Sequence, residues 1–343
     1  MDQLLWDYGT PTQRKYLEAV EQHGSGTKAA TALGVNKSTI NTALKALRKK
    51  ASARPMPSSA PIAASMVADG SNKIFVMPDT QAKPGLDFSY LMRYGQYLVE
   101  KRPKKVVFLG DHADMPSLSS YDKGKKSFEG RRYKRDVEAS LEAMSAFWSP
   151  TVDYNIYAEK HGLEPYLPEK ILLLGNHEDR INRAVNEDPK LDGVLSVDDL
   201  KYEAFGFKVY PFLEVAVIDG IAFSHFFTAG VMGRPVTTAQ ACLTKKHMSC
   251  IQGHQQGLQI ATGYRGDGKR LTSIICGSAY EHQEDYLGPQ GNRHWRGFLM
   301  LHEVCDGEFD LMPVSLNYTN KKYAHLHVAR DYVKNPLPEL APR

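Results

Sequence analysis

Gly110-Asp111-His112-Ala113-Asp114 and Gly175-Asn176-His177-Glu178 each end a short apolar run, residues 106–109 and 171–174, and these two stretches decide how the rest of the chain is read. A four-residue apolar run that stops at a glycine followed by carboxylate, amide and imidazole groups reads as a buried strand delivering a polar loop. The same pattern surrounds them. Residues 73–77 lead to Asp79 and Gln81, residues 221–224 to His225, and residues 249–252 to Gly253-His254, with Gln256 just beyond. Helical segments at 87–100 and 133–148 separate the first three runs, the alternation of a layered α/β domain. Further strands are expected at 213–218, 258–262, 271–276, 298–304 and 309–314, the first turning back through Asp219-Gly220. Loops that follow parallel strands converge at one sheet edge, so these polar groups are expected to meet. The glycines before Asp111, Asn176 and His254 are expected to let the backbone turn sharply there.

Carboxylate, amide and imidazole donors on five successive loops suit divalent metals. Phosphate-ester hydrolysis needs neutralised phosphoryl oxygens and a hydroxide at neutral pH, which two such ions about 4 Å apart supply. The ordered set D-x-[HQ], GDxxD, GNHE, a lone His after a strand, and GH resembles that of the calcineurin-like metallophosphoesterases, over about residues 73–315. The resemblance implies a four-layer α-β-β-α sandwich with a dinuclear site at the strand ends. It implies that Asp79 and Asp111, with Gln81 and Gln256, hold the first metal, that Asp111, Asn176, His225 and His254 hold the second, and that Asp111 bridges the two. Gln81 stands where the family usually has His, and Gln256 where many members have the second His of GHxH. An amide oxygen is a weaker neutral ligand than imidazole for borderline metals but suits harder ions. The implied cofactor is therefore a pair of Mn²⁺ ions, with Fe, Zn, Ni or Mg as other occupants. His177 takes the place of a non-ligand imidazole facing the leaving group and Asp114 that of its orienting carboxylate, a general-acid pair. Arg180 resembles, by spacing, the arginine with which phosphoprotein phosphatases clamp a phosphoryl oxygen. His112 is a further candidate substrate contact.

The 343 residues allow two units of unequal size, and 42% hydrophobic with 24% charged residues is ordinary for a folded enzyme-like body. No run approaches the roughly 18 apolar residues of a membrane span, and the N-terminus lacks a signal-peptide layout, so a cytoplasmic location with no membrane partner is expected. Four cysteines without a CxxC pair read as reduced, mostly buried thiols. The net charge of +4 is uneven, because residues 1–54 carry nine Lys and Arg against four Asp and Glu.

That basic front has its own pattern. Residues 51–72 are rich in Ala, Pro and Ser and read as a linker. Before them, helices are expected at 12–22, at 27–33 ending in Gly34, and from Asn36 onward, where Ile40, Ala43, Leu44 and Leu47 fall at helical spacing. KAATALGVNKSTINTALKALRKK resembles the helix-turn-helix of bacterial and phage regulators. The implied arrangement is an all-α DNA-binding unit at 1–50, a linker at 51–72, a phosphoesterase domain at 73–320 with a basic insertion at 115–170, and a tail at 321–343. DNA is the implied partner, with Lys37 and Lys45 on phosphates and Ser38, Asn41 and Thr42 within reach of base edges. Units of this kind that read palindromes dimerise, so a homodimer is expected.

Within the insertion, KGKKSFEGRRYKR gathers Lys125, Lys126, Arg131, Arg132, Lys134 and Arg135 with Phe128 and Tyr133. Such a segment can hold a nucleic-acid backbone, but Asp136, Glu138 and Glu142 downstream offer pairing along a helix, which reads as a solvated face. The stretch with His282, Tyr286, Arg293, His294 and Trp295 is expected to rim the pocket. Together these readings lead to a metal-dependent phosphoesterase on a phosphate-ester substrate, a DNA-directed phosphodiesterase or nuclease. A phosphomonoesterase acting on phosphoprotein or nucleotide, and a DNA-binding regulator or scaffold with a degenerate phosphoesterase domain, are the two alternatives.

Overall fold

The computed structural model describes residues 10–53, 72–284 and 287–325. Most of the expected linker, the end of the expected tail and Tyr286 lie outside the described residues. The chain divides into two compact units, Met1–Met66 and Val67–Arg343.

In the first unit, α1 (Pro11–His23), α2 (Gly26–Leu33) and α3 (Lys37–Ala53) form three helices. Thr10 and Gln13 close a capping box at the start of α1, and Ser25 caps α2, whose last carbonyls bond the N–H of Gly34. Ala19, Ala29, Ala30, Ile40, Leu44 and Leu47 form the shared core, in which the alanines let the helices approach closely. The α3 helix continues to Ala53, three residues beyond the expected domain end at 50.

The second unit is mixed α/β. β1 (Ile74–Met77), β2 (Lys105–Phe108), β3 (Glu169–Leu173) and β4 (Lys208–Tyr210) are parallel neighbours, and the antiparallel β12 (Gly297–Cys305) and β13 (Glu308–Ser315) complete a six-stranded sheet in the order β13-β12-β1-β2-β3-β4. A second sheet has the order β10-β11-β9-β6-β5, from β5 (Ala216–Ile218), β6 (Ile221–Ser224), β9 (Cys250–Gln252), β10 (Leu258–Tyr264) and β11 (Arg270–Cys276). A short ribbon pairs β7 (Thr228–Ala229) with β8 (Arg234–Pro235).

Alternation along the strands assembles two cores. Ile74, Val76, Val107, Leu109, Ile171 and Leu173 face Phe223, Ile251 and Ile274 of the second sheet. Phe75, Met77, Val106 and Phe108 face the other way, onto Tyr94 and Tyr97 of α4 (Ser89–Lys101) and Phe147 of α5 (Tyr133–His161). Strands buried on both faces need apolar side chains at every position, hence the unbroken runs in the sequence. Outside the second sheet, Ala239 and Leu243 of α7 (Ala239–Lys246) pack on Ile275; α6 (Asp179–Glu187) follows the third motif.

Three features depart from expectation. The α5 helix runs past residue 148 to His161, through Pro150. Pro150 has no N–H for the carbonyl of Ala146, and the Ser149 hydroxyl donates to that oxygen instead at 3.0 Å. β4 had no apolar run to announce it. The start of the expected tail at 321 belongs to the fold: α8 (Leu316–Lys322) is followed by buried Tyr323, and Lys322 Nζ and the Tyr323 hydroxyl both donate to the Glu100 carboxylate at 2.6 Å.

Candidate metal centre

Asp79, Asp111, Asn176, His225 and His254 lie just beyond the carboxyl ends of β1, β2, β3, β6 and β9, and the fold brings them together. The ligating atoms of Asp111, His225 and His254 lie within 4.8 Å of one another. His225 Nε2 stands 2.9 Å and His254 Nδ1 2.8 Å from Asn176 Oδ1, and His225 Nε2 is 3.4 Å from Asp111 Oδ2. Two imidazole nitrogens, an amide oxygen and a carboxylate thus point at one spot. The other nitrogen of His225, Nδ1, lies 2.8 Å from the Leu109 carbonyl, which fixes the ring so that Nε2 faces the spot.

Asp79 and Gln81 adjoin this cluster, Asp79 Oδ1 accepting from the His254 N–H at 3.1 Å and Gln81 lining the cleft over it. Both are buried, yet Asp79 Oδ2 and Gln81 Oε1 have no hydrogen-bond partner. An unpaired buried oxygen is costly, and two beside Asp111 fit a cation rather than an apolar core. Gln256 lines the same cleft, but its Oε1 accepts from the Tyr280 hydroxyl, so the set offered by Asp79, Gln81 and Asp111 is the weaker one.

Backbone geometry is spent here too. Gln81, Asp111, His254 and Gln256 all have positive φ, at 44°, 49°, 68° and 45°. Residues other than glycine rarely adopt it, and such outliers gather at functional sites. Gly175 and Gly253, expected to provide sharp turns, provide room instead. A Cβ on Gly175 would lie 2.1 Å from Asp111 Oδ1, and one on Gly253 2.5 Å from Asp79 Oδ1.

The charges are frustrated without a cation. Burial, then the neighbouring Asp111 carboxylate, push Asp79 up to about 7. Burial works against the charge of His225, but Asp111 and Asp79 outweigh it and raise the imidazole to about 9. Asp111 itself is held well below the usual carboxylate range, since His177 and His225 overcome its burial. Burial, then His225, lower His254 to about 4, leaving a neutral imidazole suited to coordination.

His177 stands beside this cluster, with its backbone N–H donating to Asp111 Oδ1 at 2.9 Å. Its Nδ1 is 2.8 Å from Asp114 Oδ1, and its Nε2 is 3.7 Å from Asp111 Oδ2. Burial lowers its affinity for a proton, but the Asp111 charge and the Asp114 bond more than compensate, and the net shift is upward. Arg180 reaches the site as well. Its Nη1 donates to the Asp114 carbonyl at 2.6 Å and its Nη2 lies 3.1 Å from His177 Nε2.

His112 is a correction. It is buried, its Nδ1 pairs with the Thr80 hydroxyl at 2.7 Å, its Nε2 lies 3.1 Å from the Ser140 carbonyl, and burial lowers it to about 4. A ring whose two nitrogens are both spent inside the protein makes no substrate contact. Glu178, by contrast, went unassigned in the sequence and is central. Fully buried, it accepts from the N–H groups of Asp111, Gly175 and Ala113, each at 2.9 Å, and from the Tyr202 hydroxyl at 3.2 Å. It ties the second and third loops together. Only its backbone partners reveal it as a positioning residue.

A cleft of about 1170 Å³ opens over the site, and Gln81, Asp111, Asn176, His177, Arg180 and His254 are on its wall. From the stretch expected to rim it, Glu284 and Leu287 line the cleft, while His294 is bonded to the Ser278 hydroxyl. In the first unit, Lys37, Ser38, Asn41, Thr42 and Lys45 all lie exposed on α3. Among the described residues no helix is long and apolar enough to cross a membrane.

No family model matches the chain. It is similar to the Gene 54 protein of Mycobacterium phage L5, 28% identical over 259 residues that cover 71% of this chain and 94% of that protein. It is also similar to the Gene 54 protein of Mycobacterium phage D29, 27% identical over 260 residues that cover 71% and 94% of the two chains.

Proposed function

We propose that the chain is a metal-dependent phosphoesterase of the calcineurin-like type that hydrolyses phosphodiesters, with DNA as its substrate. The observation that carries this reading is the convergence of Asp111, Asn176, His225 and His254 on one spot, flanked by the unpartnered oxygens of Asp79 and Gln81. The packing of helices on one sheet, of the two sheets on each other and of a helix on the second sheet supports this reading, since the resemblance implies such layers.

Asp111, Asn176, His225 and His254 would hold one divalent ion and Asp79, Gln81 and Asp111 a second, with Mn²⁺ suited to this oxygen-rich donor set. Bound there, such ions neutralise phosphoryl oxygens and make water acidic enough to attack at neutral pH. The protein's own groups do the rest. Asp114 Oδ1 stands 2.8 Å from Nδ1 of His177, and Nε2, which accepts from Arg180 Nη2, would carry the transferable proton once that guanidinium turns to the phosphoryl group. Asp114 favours the protonated form of His177, the form able to give a proton to the departing oxygen. Arg180, anchored on the Asp114 carbonyl, supplies fixed positive charge where the phosphoryl group enters. The exposed face of α3 would deliver the enzyme to DNA and raise the local substrate concentration.

A regulator with a degenerate centre is the second reading, favoured by the capture of Gln256 by Tyr280. Incubation with Mn²⁺ and either bis-p-nitrophenyl phosphate or p-nitrophenyl phosphate separates these readings. Diester turnover that disappears in Asp111→Ala is expected. Turnover of the mono-ester alone would move the assignment to a phosphomonoesterase, and no turnover of either would leave the regulator.

A further inference from the structure

Part of the basic segment of the second unit continues the wall of the cleft: Lys125, Arg131, Arg132 and Arg135 line it, while Lys126 and Lys134 are exposed outside it, as a solvated face would be. Residues 116–136 carry seven Lys and Arg against three Asp and Glu, a surplus of four in 21 positions. Main-chain anchors make that charge a directed line. Arg180 donates to the carbonyls of Asp114 and Met115, and Arg131 donates to the next carbonyl, that of Pro116, at 2.9 Å. Beyond Arg131, Arg132 and Arg135 line the same cleft at the first turn of α5.

The cations differ in how far their charge is already spent. Asp122 takes both Lys125 and Arg131 at 2.8 Å, and Lys134 leans toward Glu138 at 4.0 Å. Asp136, expected to pair with them, is buried and accepts from the N–H of Ser117 instead. Among the described residues, neither Arg132 nor Arg135 has a carboxylate partner, although both are exposed. They also stand at the positive end of a 29-residue helix, where cations are disfavoured unless an anion joins them. Tyr121, 83% exposed, lines this arm and offers a flat face. The cleft volume of 1170 Å³ exceeds the roughly 300–1,000 Å³ of a pocket for a small molecule.

Resting on the phosphodiesterase reading above, we infer that this arm is a track for an unpaired nucleic-acid strand. Arg132 and Arg135, beyond Arg131, take successive phosphates leading away from the metal centre, and Tyr121 stacks a base. A strand fits because the charge repeats along a line and ends at the proposed cleavage point. A mononucleotide would leave the outer two arginines without a ligand.

The test is anisotropy of a labelled twenty-residue oligothymidylate on the full chain in EDTA, where no cleavage occurs. Arg132→Ala/Arg135→Ala should weaken binding at least tenfold at about 100 mM salt and lower the salt slope by about 1.4. Tyr121→Ala should weaken it with the slope kept. Lys134→Ala, which removes one charge of the same segment outside the cleft, is the control, to be compared with Arg132→Ala and Arg135→Ala singly. Binding by the double variant equal to wild type, or a loss in Lys134→Ala equal to that in the single variants, overturns the track. An oligouridylate of the same length distinguishes a DNA strand from an RNA strand. Wild-type turnover of the small diester reports the metal centre alone, so its absence would sink the phosphodiesterase reading while strand binding remained measurable.

Discussion

At the residue scale, His177 is where proton transfer can be read out. Without metal its protonated form is favoured by Asp111 and Asp114, and of these only Asp114 lies outside the proposed ligand set and keeps that influence with ions bound. A general acid loses activity as pH rises through its own pKa. The high-pH limb of kcat on DNA therefore belongs to His177. Asp114→Asn removes the bond at 2.8 Å and should move that limb to lower pH, measured as a pH profile with Mn²⁺ saturating. His177→Ala should cost DNA cleavage about 10²-fold or more, and bis-p-nitrophenyl phosphate far less, because nitrophenolate leaves without a proton. An equal loss on both substrates would mean that His177 serves the metal site instead. Individual donors were legible in the sequence because each follows an apolar run. What His112 and Glu178 do was not, since an imidazole or carboxylate one step from a ligand looks the same whether it faces the cleft or the backbone.

At the element scale, the centre depends on two loops held closer than side chains normally permit. Glu178 collects N–H groups from both, and Gly175 leaves no space for a Cβ beside Asp111. Gly175→Ala is expected to destabilise the fold by about 1–3 kcal/mol, as overpacking does, and to abolish metal binding, checked by thermal melting with and without Mn²⁺. Unchanged Mn²⁺ stabilisation in that variant would show the loop pair to be less constrained than described. The positions of β1, β2, β3, β6 and β9 were readable to within a few residues because burial on both faces demands unbroken apolar runs. Pro150 hid the second half of α5, since the rescue of the Ala146 carbonyl by Ser149 is a side-chain event. β4 escaped because its three residues, Lys208–Tyr210, are at best half-buried and carry no run at all.

At the scale of the whole molecule, a three-helix unit with an exposed basic helix accompanies an α/β unit whose cleft runs from clustered acids and imidazoles to a cationic arm. The division into units was visible as a change in composition around residues 51–72; the arm's place on the cleft wall was not, because it depends on which main-chain carbonyls Arg131 and Arg180 grasp. The central claim is that this cleft is built around divalent ions. In the metal-free protein Asp79 and His225 hold protons up to about 7 and about 9, so an ion must displace them, and affinity should rise from pH 6 to pH 9 with proton release. The most direct test is calorimetric titration of the metal-free protein with Mn²⁺ across that range. Two ions per chain are predicted, the tighter on Asp111, Asn176, His225 and His254 and the weaker on the Asp79 and Gln81 side, with both lost in Asp111→Ala. Absence of Mn²⁺ binding at every pH, or binding that Asp111→Ala leaves untouched, would contradict the account.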